Sequence, residues 1–452
     1  MSTRGVRDFR PLKHFSPKSG WINDPNGLVF DGRQWHLFAQ HYPDDGHWGP
    51  MHWLHAVSDD LLTWKEIGVA LAPDEALGMI FSGSAVIDEN GSSGLGARPM
   101  VCMFTHHGRH EQQSVAFSND YVRFEKYAGN PVIPNTALPD FRDPKVFRDE
   151  ARGRWACAVA AGDHVEFFAS EDLLHWSKTG EFGRRENRMG GVFECPDLFR
   201  AAAPGSELWV LSASMALPRD NGGSRTQYFL GEFDGETFRE TLPSPRPKLL
   251  DFGYDNYAAV TFSGAREPLL LGWAASWCYA DRMPEGNFCG QMTYARRVHL
   301  AETLDGLRLA AEPVAPEYAG EAVQIGDGES CPLPGELFRI DVEARGAFRA
   351  ELSNDDGERF VFGLDAAQQL YTDRTHSAHS VFSDTFDSGC MSVTKTLRLL
   401  DGNMRLQLHF DRCVAELYAD GGTYANTTLV FPDRPYTRIS ITGDATLRVV
   451  GE

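Results

Sequence analysis

The chain of 452 residues has no closely spaced cysteines, no long apolar run and too few basic residues to balance its acids. Its eight cysteines, Cys102, Cys157, Cys195, Cys278, Cys289, Cys331, Cys390 and Cys413, include no CxxC pair. That excludes a zinc knuckle and a dense disulfide framework, and free thiols are expected. No stretch supplies the roughly 20 apolar residues of a membrane span. Lys and Arg number 43 against 63 Asp and Glu, a formal net charge of −20. Such a surface repels nucleic acid and anionic membranes, so neither is expected as a partner. The first twenty residues, "MSTRGVRDFRPLKHFSPKSG", lack the apolar core of a secretory signal, and a cytoplasmic location is expected. Sustained 3.6-residue apolar periodicity is also scarce, which argues against a helical core.

Short alternating apolar runs bounded by Gly, Asp, Asn and Pro are abundant instead, for example "QWHLFAQHY", "PMVCMFTHH", "RWACAVAAG" and "RLQLHF". They read as an all-β chain of many short strands. An internal echo organises them. "SDDLLTWKE" (58–66), "SNDYVRFEK" (118–126) and "SEDLLHWSK" (170–178) share S-x-D-x-x-x-aromatic after an apolar strand, and "GEFDGETFRE" (231–240) is a degenerate copy. The spacing of about fifty to sixty residues is that of one four-stranded propeller blade. Residues 1–312 are therefore expected to form a five-bladed β-propeller. Residues 313–336, rich in Pro, Ala, Gly and Glu, read as a linker, and 337–452 as a β-sandwich.

Three acids in the propeller region stand at the edges of apolar runs: Asp24 in "GWINDPNG", Asp143 in "DFRDPKVF" and Glu194 in "GGVFECPDLF". Propeller strands run outward from a central channel, so acids at blade starts converge on the axis although far apart in sequence. Convergent carboxylates raise the pKa of one and leave another ionised, as an acid/base and a nucleophile require.

"WINDPNG", "FRDP" and "ECPDLF", in this order, resemble the glycoside hydrolase family 32 β-fructosidases. "FSGSAV", "LGWAASWCYA" and "MTYARRVHL" follow the same pattern, and "LYTDRTHS", "DRCVAELYADGG" and "LVFPD" resemble that family's β-sandwich. The resemblance implies a retaining β-fructofuranosidase that takes terminal fructosyl units from a small sugar substrate, sucrose or short fructooligosaccharides first. It implies Asp24 as nucleophile, Glu194 as acid/base and Asp143, beside Arg142, as transition-state stabiliser, with no cofactor and no metal. Two carboxyls about 5–5.5 Å apart and a covalent glycosyl-enzyme are the physical expectation for such a double displacement. Gln40, Trp48, Phe81, Ser82 and Trp277 are implied to line the fructose pocket, an aromatic wall with polar partners that suits a sugar. Pro25 and Gly27 are expected to hold a tight turn that sets Asp24 at the channel mouth, with Trp21 nearby. Asn23 and Asn26 would then offer amide hydrogens to fructose, Asn23 as a substrate-binding residue, or to the carboxylate, whose pKa they would lower.

The chain departs from the family pattern at Ala295 before Arg296, at Cys278 and at Asn256, all expected near the substrate rim. Arg109, Arg282 and Arg296 are candidates for a phosphate on the sugar. Glu285 receives no role. His52, His55, His106, His107 and His110 fall on strand and loop rather than on one helix face, so they are not read as a metal site. Alternatives of other kinds are a catalytically silent fructan-binding module, a fructosyltransferase, a fructan exo-hydrolase, a sucrose-6-phosphate hydrolase and a related arabinose- or xylose-acting enzyme. A homo-oligomer is compatible with the sequence.

Overall fold

The computed structural model describes all residues except 1–6, 188, 219, 221, 285, 379–381 and 387–390. Glu285 and Cys390 thus lie outside the described residues. The chain builds five blades of four antiparallel strands each, blade I extended by the parallel strand Phe288–Cys289 and blade IV by Lys248–Leu249, and then a sandwich. Blade I consists of Gly20–Phe30, Trp35–Tyr42, His52–Ser58 and Trp64–Leu71; blade II of Met79–Ile87, Met100–His107, Glu111–Ser118 and Glu125–Lys126. Blade III comprises Arg142–Asp149, Arg154–Ala160, Val165–Ser170 and Ser177–Phe182; blade IV begins with Glu194–Ala203 and blade V with Tyr257–Thr261. The ring closes through backbone hydrogen bonds between blades V and I, Phe30 N–H to Ser263 O and Ser263 N–H to Leu28 O, both 2.9 Å.

The sequence echo is the turn between the third and outer strands. In blade I the Ser58 hydroxyl accepts the Leu61 N–H at 2.9 Å, and Asp60 Oδ1 accepts the N–H groups of Leu62 and Thr63. Ser170 and Asp172 repeat this in blade III. Leu61, Tyr121 and Leu173 each take φ near +65° at the same place (67°, 61° and 66°). Side-chain oxygens satisfy the turn's backbone donors, which is why Ser and Asp recur there. Asp234 does the same in blade IV, accepting from Glu236 and Thr237 at 2.9 Å.

Each inner strand has an irregularity near its channel-mouth end: between Ile22 and Pro25 and again between Asn26 and Val29, between Ile80 and Gly83, between Glu194 and Asp197, and between Tyr257 and Val260; in blade III it falls opposite Arg142. A bulge breaks the strict alternation of faces and re-aims side chains, here toward the axis. "WINDPNG" is therefore a doubly bulged strand and not the tight turn expected from its composition. Gly27, at φ +53°, is needed because a Cβ there would stand 2.5 Å from the Phe38 ring.

The C-terminal sandwich is one ten-stranded sheet folded on itself. Leu337–Ser353 and Arg438–Gly451 run side by side through both layers, with a break in register between Ala344 and Phe348 where the sheet bends. Phe338, Ile340, Val342, Phe360, Phe362, Leu406 and Leu408 fill the space between the layers. The expected bare linker differs: Val323–Ile325 and Ser330–Pro332 pair with the last strand. Strands of three residues among Pro and Gly are too short to show alternation in sequence.

A buried apolar cluster containing Trp21, Trp273 and Tyr279 of the propeller continues into Phe386 and Phe431 of the sandwich. Ion pairs cross the same interface. Arg296 is fully buried and bonds Asp251 at 2.9 Å, Glu416 at 3.0 Å and Thr427 at 2.6 Å. Arg374 pairs with Asp255, and His14 lies between Asp411 and Glu416. Arg296 is thus an interdomain strut, which corrects its expected place on the substrate rim and removes it as a phosphate partner. Asn256, 3% exposed and donating to Asp251 at 3.2 Å, belongs to the same interior. Among the described residues no helix is long and apolar enough to cross a membrane.

Candidate active site

The bulged strand starts bring Asp24, Ser82, Asp143, Glu194 and Tyr257 to one mouth of the channel. Ser82 donates to Asp24 Oδ2 at 2.7 Å, while Asp24 Oδ1 is buried without a hydrogen-bond partner. The Cys195 thiol lies 3.5 Å from Asp24 Oδ2 and 3.7 Å from Asp143 Oδ2, and the Cys195 N–H donates to Asp143 Oδ2 at 2.9 Å. Asp143 and Cys195 both adopt positive φ, 65° and 45°. Such conformations cost about 1–3 kcal/mol each and persist where the surroundings over-determine them. Here the Asp143 N–H is held by Thr105 Oγ1 at 2.9 Å. Glu194 accepts from Arg142 Nη2 at 3.1 Å on one oxygen and from the Tyr257 hydroxyl on the other.

Burial is the largest influence on all three acids. It lifts Asp24 above the ordinary aspartate range although Ser82, Asn23 and Cys195 pull the other way. It lifts Asp143 to about 8, opposed by the Arg142 guanidinium and reinforced by the charges of Glu194 and Asp24. Glu194 is raised by burial and by Asp24, against Arg142 and Tyr257. The expectation that amide donors would lower Asp24 is therefore corrected: the donors are present, but loss of water outweighs them. Asn23 does contribute; its carbonyl is fixed by the Trp21 indole N–H at 2.7 Å. Asn26 does not face the carboxylate. Its amide donates to the Asp24 backbone carbonyl at 2.9 Å and its Oδ1 accepts the Gly83 N–H at 3.0 Å, which ties blade I to blade II.

Around the acids stand the aromatic residues implied for a sugar. Trp48 is 45% exposed and meets Phe81 edge-on at 6.3 Å, and Phe81 stacks on His107 at 4.1 Å. Trp277 stacks on Trp21 at 6.0 Å and leans on Trp273 at 4.9 Å. Gln40 is buried and donates to the Ile80 carbonyl at 3.0 Å, joining blades I and II beneath this wall. Below the acids the axis is filled by Ser84, Lys145 and Thr261, leaving about 10 Å³. Lys145 Nζ bonds the Thr261 carbonyl at 2.6 Å and Asp197 at 3.2 Å.

Sequence reasoning gave no role to Tyr257, Cys195, Thr105 or Glu111. The histidines expected not to bind metal have other occupations: His55 bonds His36 at 3.0 Å and His106 bonds Ser114 at 2.7 Å. His164, Glu166 and Glu181 do gather elsewhere. Lys178 already bridges both glutamates, at 2.6 and 3.1 Å, and Arg184 donates to His164 at 2.8 Å, so protein cations fill that place.

Comparison with known proteins bears on this geometry. The model of the glycosyl hydrolases family 32 N-terminal domain matches residues 14–313, and that of the family 32 C terminal matches 338–449. A levanase of Bacillus subtilis (strain 168) is 36% identical over 457 residues, covering 94% of this chain and 67% of that protein. The chain spans about half (49%) of a levanase of Bacillus sp. (strain L7), to which it is 33% identical across 94% of its own length. An extracellular exo-inulinase of Aspergillus ficuum is 32% identical, covering 97% of this chain and 93% of that protein. Among solved structures, exo-inulinase from Aspergillus awamori superposes with a TM-score of 0.87 at 30% identity, covering 98% of both chains. Fructofuranosidase from Schwanniomyces occidentalis complexed with fructose does so with 0.89 at 27% identity and 99% of both. Two family models that together span propeller and sandwich, with the acids gathered at one channel mouth, place the chain in glycosyl hydrolase family 32 as a glycoside hydrolase.

Proposed function

We propose that the enzyme is a retaining β-fructofuranosidase that removes terminal fructosyl units from short fructans and sucrose. The unpartnered Oδ1 of Asp24 carries this reading. It is buried, makes no hydrogen bond among the described residues and lies next to two other acids. In the first step that oxygen attacks the anomeric carbon, forming a fructosyl ester as the bond to the leaving oxygen breaks, and protonated Glu194 gives its proton to that oxygen. In the second step Glu194 takes a proton from water, which attacks the same carbon and releases Asp24. A Glu194 raised by burial supports the acid role in the free enzyme. Asp143, protonated below about 8 and fixed by Cys195 N–H, would hydrogen-bond fructose hydroxyls. The exo-inulinase name of a relative supports attack on chain ends rather than chain interiors.

The levanase and exo-inulinase names of the relatives support β-fructosyl substrates, with sucrose as the small end of the series. Initial rates of fructose release from sucrose, sucrose 6-phosphate, 1-kestose, inulin and levan, with products resolved by chromatography, test the assignment. Fructose is expected as the sole small early product from inulin and levan, and fructose with an equal amount of sucrose from 1-kestose. Oligosaccharides released first from inulin would overturn the exo assignment, and no hydrolysis of any of the five by folded protein would overturn the substrate class.

A further inference from the structure

Glu111 begins the third strand of blade II, with blade III between it and Glu194 of blade IV, and only 6% of its surface is exposed. Its Oε2 accepts the Phe141 N–H at 2.7 Å. Arg142 Nη1 lies 3.2 and 3.1 Å from its two oxygens, and His107 Nδ1 lies 3.1 Å from Oε1. The other arm of the same guanidinium, Nη2, holds Glu194 Oε1 at 3.1 Å. Asp140 also reaches Nη1, at 2.7 Å, but its side chain is a third exposed (33%), and solvent weakens a single contact of that kind. Glu111 is the buried anchor.

We infer that Glu111 is a positioning residue for the reaction: it fixes the Arg142 fork so that one nitrogen holds Glu194, and through His107 it braces Phe81 in the pocket wall. The inference rests on the reading of Glu194 as acid/base. A guanidinium is a rigid planar fork, so fixing one edge with a buried carboxylate fixes the direction of the other. The anchor is also a charge. Burial raises Glu111, yet His107, Arg142 and the Phe141 N–H outweigh it and keep it anionic at neutral pH. Its negative charge offsets part of the Arg142 charge that Glu194 feels. The groups facing Glu194 are Arg142, Tyr257, Asp24, Asp143 and Cys195; those facing Glu111 are His107 and Arg142. With Glu111 neutral, Arg142 would act on Glu194 with only the part-exposed Asp140 and the neighbouring Asp143 to offset it, and Glu194 would lose its proton at lower pH.

The test is the pH profile of kcat and kcat/KM for fructose release from sucrose and 1-kestose by the full chain carrying Glu111→Gln. The amide cannot supply the charge but still accepts the Phe141 N–H. The alkaline limb is expected to move down by about one pH unit and kcat at neutral pH to fall about tenfold. Glu111→Asp keeps the charge but is one methylene short. Its limb should stay at the wild-type position while kcat falls severalfold, and this variant is decisive should the Gln variant not fold. His107→Ala should instead raise KM severalfold with the limb unmoved. A wild-type limb and kcat in Glu111→Gln, or a wild-type kcat in Glu111→Asp, would overturn the inference. Glu194→Gln is run beside them: its retaining full activity would sink the acid/base reading itself, which separates that failure from this one.

Discussion

Ser82 donates its hydroxyl to one oxygen of Asp24 at 2.7 Å and leaves the other without any protein donor. This asymmetry suits the proposed nucleophile role, because one oxygen is oriented by its donor while the other is left open to the substrate. Asp24→Ala is therefore expected to lower kcat by orders of magnitude while the fold, read by circular dichroism, persists. Ser82→Ala frees the carboxylate to rotate and should lower kcat about tenfold. Steady-state kinetics on sucrose and 1-kestose decide both, and wild-type turnover by Asp24→Ala would exclude Asp24 from the reaction.

Asp143 shows what such a site costs the fold. Its folded pKa of about 8 lies far above its ordinary value of 3.8, first because of burial and despite Arg142. In the folded protein the acid keeps its proton where the unfolded chain would release it. Folding is thus disfavoured progressively as pH rises from 3.8 to about 8, by a few kcal/mol near neutrality. Asp143→Asn removes the titration. It should raise Tm at neutral pH, flatten the dependence of Tm on pH across that window, and abolish activity. Calorimetry across the window checks this; a Tm at neutral pH equal to or below wild type would contradict it.

Tyr257 and Arg142 both favour the ionised form of Glu194, against burial. Removing the phenol hydroxyl takes away one of those supports, so Tyr257→Phe should raise the pKa of Glu194 and carry the alkaline limb of kcat/KM to higher pH. This is opposite in sign to the shift expected for Glu111→Gln. The ring stays to fill its buried place, so KM should change little. A limb that moves down, or not at all, would show that the hydroxyl does not tune the acid.

What the sequence disclosed and what it hid follow from the range of the interactions. Asp24, Asp143 and Glu194 could be singled out because each sits in a short string of unusual neighbours. The blade echo was visible because Ser58, Asp60 and Trp64 act within seven residues of one another. Tyr257 was passed over because a tyrosine in an apolar strand looks like core, and its partner is 63 residues away. Glu111 and Arg142 are 31 apart and Arg296 and Glu416 are 120 apart, so neither pairing leaves a local trace. The bulges in "WINDPNG" escaped for another reason. Asn, Asp, Pro and Gly serve a turn and a broken strand equally, and only the partner strand Trp35–Tyr42 decides between them.

His14 ties the N-terminal segment to the sandwich and yields the clearest expectation for stability. Its ring is fully buried, with Nδ1 2.8 Å from Asp411 and Nε2 3.1 Å from Glu416, and it stacks on Tyr294 at 3.8 Å. Burial alone would lower its pKa, but the two carboxylates outweigh burial and raise it from 6.5 to about 9. A raised histidine stabilises the fold fully below its unfolded value of 6.5, and that contribution fades as pH climbs through about 9. The gap corresponds to roughly 3 kcal/mol for a group this buried. Tm should therefore decline between neutral pH and about 9 as the imidazolium loses its proton between two buried anions. His14→Gln keeps a donor of similar length without the charge. It should lower Tm near neutral pH by several degrees and remove most of the decline, while kcat changes little because the active-site acids lie on other elements. A wild-type slope in the variant would mean that the alkaline sensitivity resides elsewhere in the interface.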